Sequence, residues 1–154
     1  MKKTALLLVV LTLAIQGCAH HQRESKEEKT ETINDNRPCA ANFTSDGSFW
    51  GGRSFRTYMD SKMSKNNAFS SLAASFASHG YAITASDRES GLISGNSAVM
   101  FGNGKVVPMN ATVKSIPSGG SHAELTFQLS GGLSASLDAI KKEFCGILDP
   151  LDQK

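Results

Sequence analysis

Residues that usually mark a reactive site are scarce in this 154-residue chain, which has one tryptophan, two tyrosines, three cysteines and four histidines. No Gly-x-Ser-x-Gly turn is present. The nearest string, Gly95-Asn96-Ser97-Ala98-Val99, ends in valine where a hydrolase nucleophile elbow needs glycine. No histidine has an orienting acid that local spacing makes obvious, so a serine nucleophile would lack a positioned base. Gly102-Asn103-Gly104 and the other glycine pairs do not run from a strand into a helix, which removes a phosphate-cradling loop. His20 and His21 have no Cys, Asp or Glu at a fixed metal-ligand spacing and read as polar spacer. No internal repeat and no second domain are visible. The one long apolar run, Ala5 to Ile15, is interrupted only by Thr12 and is too short for a comfortable membrane span. These absences point away from a serine hydrolase, a nucleotide-binding enzyme and a spanning membrane protein.

That apolar run has another use. Lys2 and Lys3 precede it and Gly17-Cys18 closes it, which is the charge and length pattern of a secretory signal peptide over residues 1–17. Ile15-Gln16-Gly17-Cys18 resembles the lipobox of bacterial lipoproteins, with Gln16 a departure because a small residue is usual there. The resemblance implies that the Cys18 sulfur receives a diacylglycerol, that the signal is cut before it, and that the membrane is a partner through this lipid. One acyl chain anchors only marginally, whereas two or three hold almost permanently. Ala19 stands where an aspartate would favour inner-membrane retention in the Gram-negative pattern. The expected location is therefore the cell envelope, at the outer membrane, with the domain facing the periplasm.

Losing the signal removes Lys2 and Lys3, which takes the sixteen basic residues to fourteen and matches the fourteen acidic ones. A mature chain without net charge has no global field to attract nucleic acid, so no nucleic-acid partner is expected. With Cys18 carrying lipid, Cys39 and Cys145 remain. In an oxidising compartment these two are expected to form one disulfide, the alternative being two unpaired thiols. Such a bond would close a loop of roughly 100 residues.

Residues 18–38 are polar and charged, with Ile33 the only large apolar side chain between Ala19 and Pro38. Such a segment buries too little to order itself and reads as a tether for a single domain over residues 39–150, with 151–154 as a tail. Within the domain, Ser54 to Asp60 reads as a strand with Phe55, Tyr58 and Met59 as candidates for the core. Ser64 is a helix N-cap before Phe69, Leu72, Ala73, Phe76 and Ala77, and Gly80 is the stop. Four strands follow. Tyr81, Ile83 and Ala85 lead the first, and Leu92 to Phe101 is the second. Val107, Met109, Ala111 and Val113 alternate in the third, and Ala123, Leu125, Phe127 and Leu129 in the fourth. They are separated by turn chemistry at hairpin spacing. Ser134 or Ser136 caps a last helix with Leu137, Ile140, Phe144, Ile147 and Leu148 as its apolar stripe, and Pro150 ends it. The expected fold is α+β in the order β-α-β-β-β-β-α, an antiparallel sheet with two helices on one face.

The strings Gly80-Tyr81-Ala82-Ile83-Thr84-Ala85-Ser86-Asp87 and Gly91-Leu92-Ile93-Ser94-Gly95 resemble small helix-grip domains of periplasmic lipoproteins, a group that includes accessory lipoproteins of outer-membrane assembly. The resemblance spans about 60 residues and implies fold and compartment, with no binding residue attached.

Candidate sites are few. Asp87 and Glu89 flank Arg88 and read as turn residues rather than an acid pair. His79 lies near a helix end, where a protonated ring suits the dipole, and His122 opens a strand. The best recognition candidate is Phe43 to Arg53, which holds the only tryptophan between glycines. Phe49, Trp50 and Arg53 are its candidate contacts for a partner protein, a peptide or a glycan; alternatively Phe43, Phe49 and Trp50 cap the core beside the disulfide. The expected function is non-enzymatic, without cofactor or metal: a lipid-anchored accessory or scaffold contacting another envelope protein. The alternative is a periplasmic lipoprotein that binds a small ligand, glycan or peptide.

Overall fold

A computed structural model describes residues 35–98 and 106–152. Cys18, the tether up to residue 34 and the end of the expected strand at 99–101 lie outside them. The elements are α1 (Pro38–Ala41), β1 (Thr44–Ser48), β2 (Gly52–Ser61), α2 (Lys65–Ser78), β3 (Ala82–Asp87), β4 (Leu92–Ala98), β5 (Val106–Ser115), β6 (Ser121–Leu129), α3 (Leu137–Leu148) and a 3-10 turn at Asp149–Leu151. The strands form one six-stranded sheet in the order β1-β2-β6-β5-β4-β3, every neighbouring pair antiparallel. The fold is the expected α+β arrangement with one strand and one short helix added at its start.

Period-two alternation builds the core. Phe55, Thr57 and Met59 of β2, Met109, Ala111 and Val113 of β5, and Ala123, Leu125, Phe127 and Leu129 of β6 all point inward. Tyr58 is a correction: it sits between two inward residues, so its ring turns to the solvated face and is 41% exposed. In β3 all six residues are exposed and the register slips between Ile83 and Ala85, so only Tyr81, just before the strand, enters the core.

The helices cover the inward face. On α2 the buried residues are Ala68, Phe69, Leu72, Ser75 and Phe76, whereas Ala77 is exposed. At its end Gly80 takes φ +81°, and Tyr81 N–H donates to the Phe76 carbonyl at 3.0 Å. On α3 the stripe is Ile140, Phe144, Cys145, Ile147 and Leu148. Leu137, expected in that stripe, lies in the first turn and is 41% exposed. The core also runs past Pro150: Leu151 is buried and its carbonyl accepts from Ser61 Oγ at 2.7 Å.

The disulfide joins Cys39 of α1 to Cys145 of α3, and both cysteines are buried. Beside it Arg37 pairs with Asp35 and Asp149. Its guanidinium holds the Asp35 carboxyl below the usual carboxylate range.

Ser64 accepts from Asn67 N–H and Ser136 from Ala139 N–H, which satisfies one free donor at each helix start. Ser64→Ala and Ser136→Ala are each expected to cost about 1 kcal/mol of unfolding free energy, read as the shift of a urea transition. Ser134→Ala, which removes no cap, is expected to leave the transition in place.

Candidate functional site

The segment singled out for its tryptophan is a hairpin tip. Strands β1 and β2 pair from Thr44↔Arg56 to Ser48↔Gly52, leaving Phe49-Trp50-Gly51 as the turn. Two contacts hold it. Gly51 N–H donates to Ser48 Oγ at 3.1 Å, and Gly132 N–H donates to the Phe49 carbonyl at 2.8 Å. The second comes from the Gly131-Gly132 turn that follows β6. Gly131 packs so closely that a Cβ on it would lie 2.2 Å from the Trp50 carbonyl oxygen. The backbone of the tip is thus clasped between its own strands and a glycine turn far along the chain.

The side chains on this clasped backbone face water. Trp50 is 86% exposed and Phe49 44%, and their rings meet edge to face with centroids 5.0 Å apart. Their arrangement settles part of the choice left by the sequence. Phe43 does cap the core: it stacks on Phe55 at 6.3 Å, meets Phe144 at 5.9 Å, and so sits beside the disulfide. Phe49 and Trp50 take no part in that cap.

Arg53 is partly buried, with its guanidinium carbon 5.3 Å from the centre of the Phe55 ring. It borders a shallow hollow of 220 Å³ with Asp46, Ser54 and Gln128, directly below the tip. An exposed aromatic pair above a small polar hollow is suited to docking: the rings supply apolar area and the hollow supplies donors and acceptors.

The fold supplies acid partners to both described histidines, which local spacing did not reveal. His79 Nδ1 lies 3.2 Å from Glu143 Oε1 of α3, and His122 Nδ1 lies 2.7 Å from Asp60 Oδ1 of β2. The His122 ring also packs against Tyr58 at 5.3 Å. Among the described residues neither imidazole hydrogen-bonds a serine hydroxyl, so neither pair extends to a nucleophile. Asp87 behaves as a turn residue. Its carboxylate accepts from Glu89 N–H at 2.9 Å and from Ser90 N–H at 3.4 Å, and the Ser90 hydroxyl and these backbone donors hold it below the usual carboxylate range. Arg88 leaves the turn to reach Ser70 Oγ at 2.9 Å on α2. His20 and His21 lie outside the described residues.

A second concavity, of 170 Å³, lies under α3. Met109, Phe127, Ile140 and Phe144 line it, with Tyr81 and Glu143 at its margin. Burial, and then the neighbouring Glu143 charge, push the Tyr81 phenol up to about 12, so it remains neutral through the physiological range.

No family model matches the chain. No curated protein matches it either. Among solved structures, the crystal structure of Ara h 8.0201 is similar over 66% of this chain and 98% of that one, at 12% identity and a TM-score of 0.31, a likeness too low to bear on fold or function.

Proposed function

We propose that this chain is a lipid-anchored, non-enzymatic accessory protein of the cell envelope. In this reading Cys18 carries the anchor, residues 19–34 span the distance from the outer membrane, and Phe49 with Trp50 contact another envelope protein. The observation that carries the reading is the 86% exposure of Trp50 on a backbone clasped by Gly131 and Gly132. Interface hot spots are enriched in tryptophan, and a fixed backbone reduces the ordering cost of binding. Confinement by a tether raises the effective concentration of such a contact without any new interaction.

The test has two arms. A photo-crosslinking side chain at position 50 is expected to capture one reproducible envelope protein in cells. Trp50→Ala is then expected to weaken binding of that protein by about 30-fold or more, the loss associated with a hot spot. In the second arm, Cys18→Ala is expected to move the protein from the membrane fraction to the soluble one. Unchanged affinity after Trp50→Ala would refute the docking tip. A Cys18→Ala protein still in the membrane fraction would refute the anchor.

A further inference from the structure

The cleft under α3 lies between that helix and strands β5 and β6. Helix α2 ends at Ser78, and His79 then abuts Gly146, where a Cβ would lie 2.8 Å from the His79 Cε1 atom. Contacts from this end of α2 fall on Glu143 and Gly146, in the second half of α3. Met109 and Phe127 form the floor beneath it, and Ile140 and Phe144 the roof. Ala139, exposed in the first turn of α3, borders the mouth.

The size and charge of this cleft specify an occupant. An apolar cavity of about 150 Å³ accommodates a benzene ring, and this cleft holds 170 Å³. Among the described residues Glu143 is the only carboxylate on its lining and no cationic side chain joins it; the Glu143 side chain is 39% exposed, with Oε1 3.2 Å from His79 Nδ1. We propose that the cleft binds a small amphipathic amine, with one aromatic ring or a short alkyl chain between Phe127 and Ile140 and its ammonium group at the Glu143 carboxylate. Tyr81 also lines the cleft, and an aromatic ring within reach of a cation attracts it through its quadrupole. A carboxylate of equal size would meet Glu143 as a like charge. The site is separate from the hairpin tip, and neither proposal depends on the other.

Three probes that share a ring isolate the head group: benzylamine, benzyl alcohol and benzoate, titrated into the purified full chain. The readout is the Met109 methyl resonance, since that side chain is buried on the cleft floor. Benzylamine is expected to shift it saturably at millimolar concentration. Benzyl alcohol should bind up to about fivefold more weakly, the factor that a partly exposed ion pair contributes, and benzoate more weakly still. Glu143→Gln is expected to equalise the amine and the alcohol while keeping ring binding. Ala139→Phe, a change at an exposed position, is expected to fill the mouth and abolish all three responses. The proposal is overturned if no probe moves Met109 at tens of millimolar, or if the amine preference survives Glu143→Gln.

Discussion

Replacing Cys39 and Cys145 together by alanine is expected to lower the unfolding free energy by about 4 kcal/mol. The bond joins residues 106 apart, the first turn of the domain to its last helix. In the chain-entropy account a loop of about 100 residues contributes roughly 4.7 kcal/mol, and losses on removing native disulfides run at about 2–5 kcal/mol. A second effect acts in the folded state. The buried Thr57 hydroxyl donates to the Cys39 carbonyl, so a displaced α1 would strand a buried donor at a cost of about 1–3 kcal/mol. The measurement is a urea transition followed by far-ultraviolet circular dichroism. Fluorescence is a poor choice, because Trp50 is already 86% exposed when folded. A loss below about 1 kcal/mol would contradict the expectation and place most of the constraint elsewhere in the chain.

Most of the sheet was legible because its strands alternate apolar and polar side chains, and β5 and β6 show this most clearly. Strand β1 was not legible for a physical reason. Thr44-Ser45-Asp46-Gly47-Ser48 has no apolar side chain and buries none of its residues. It is a strand only through backbone pairing with β2, which leaves no trace in hydropathy. Tyr58 shows the converse. An aromatic residue in a strand suggested burial, but parity with Phe55 and Met59 decides its face. Leu137 fits the helical period yet lies in the first turn, outside the covered part of the stripe.

The candidate sites divide along the same line. That Trp50 was worth attention could be read from a single tryptophan flanked by glycines. Its exposure could not, and neither could the contact that Gly132 makes with the neighbouring Phe49 carbonyl from far along the chain. Both histidine–carboxylate pairs are likewise products of topology, linking residues 64 and 62 apart. The cleft has no sequence signal at all, since it is a space left between elements. The disulfide was legible for a different reason. If one cysteine carries lipid in an oxidising compartment, as proposed, chemistry leaves a single pair, and the fold places those two Cα atoms 5.5 Å apart.

Phe144→Ala is expected to cost about 3–5 kcal/mol, at the upper end for a core truncation. The ring is fully buried and contacts Phe43 at 5.9 Å and Phe127 at 6.4 Å, the latter nearly perpendicular. The cost of such a change depends on how far the surroundings relax into the gap, and here they are constrained. Cys145, the next residue, is bonded to Cys39, which fixes this turn of α3. Phe127 pairs with Phe55 and Met109 on the neighbouring strands, so the floor cannot rise. The vacated volume should therefore persist and join the cleft. Benzyl alcohol is then expected to raise the melting temperature of the variant more than that of the parent, by mass action on a larger site. The disulfide supplies the sharper check. In a background with Cys39→Ala and Cys145→Ala, α3 is free to settle, and Phe144→Ala is expected to cost at least about 0.5–1 kcal/mol less than in the bonded protein. Equal costs in the two backgrounds would show that the bond does not hold the helix off the sheet. The large effect of Phe144→Ala would then come from its lost contacts alone.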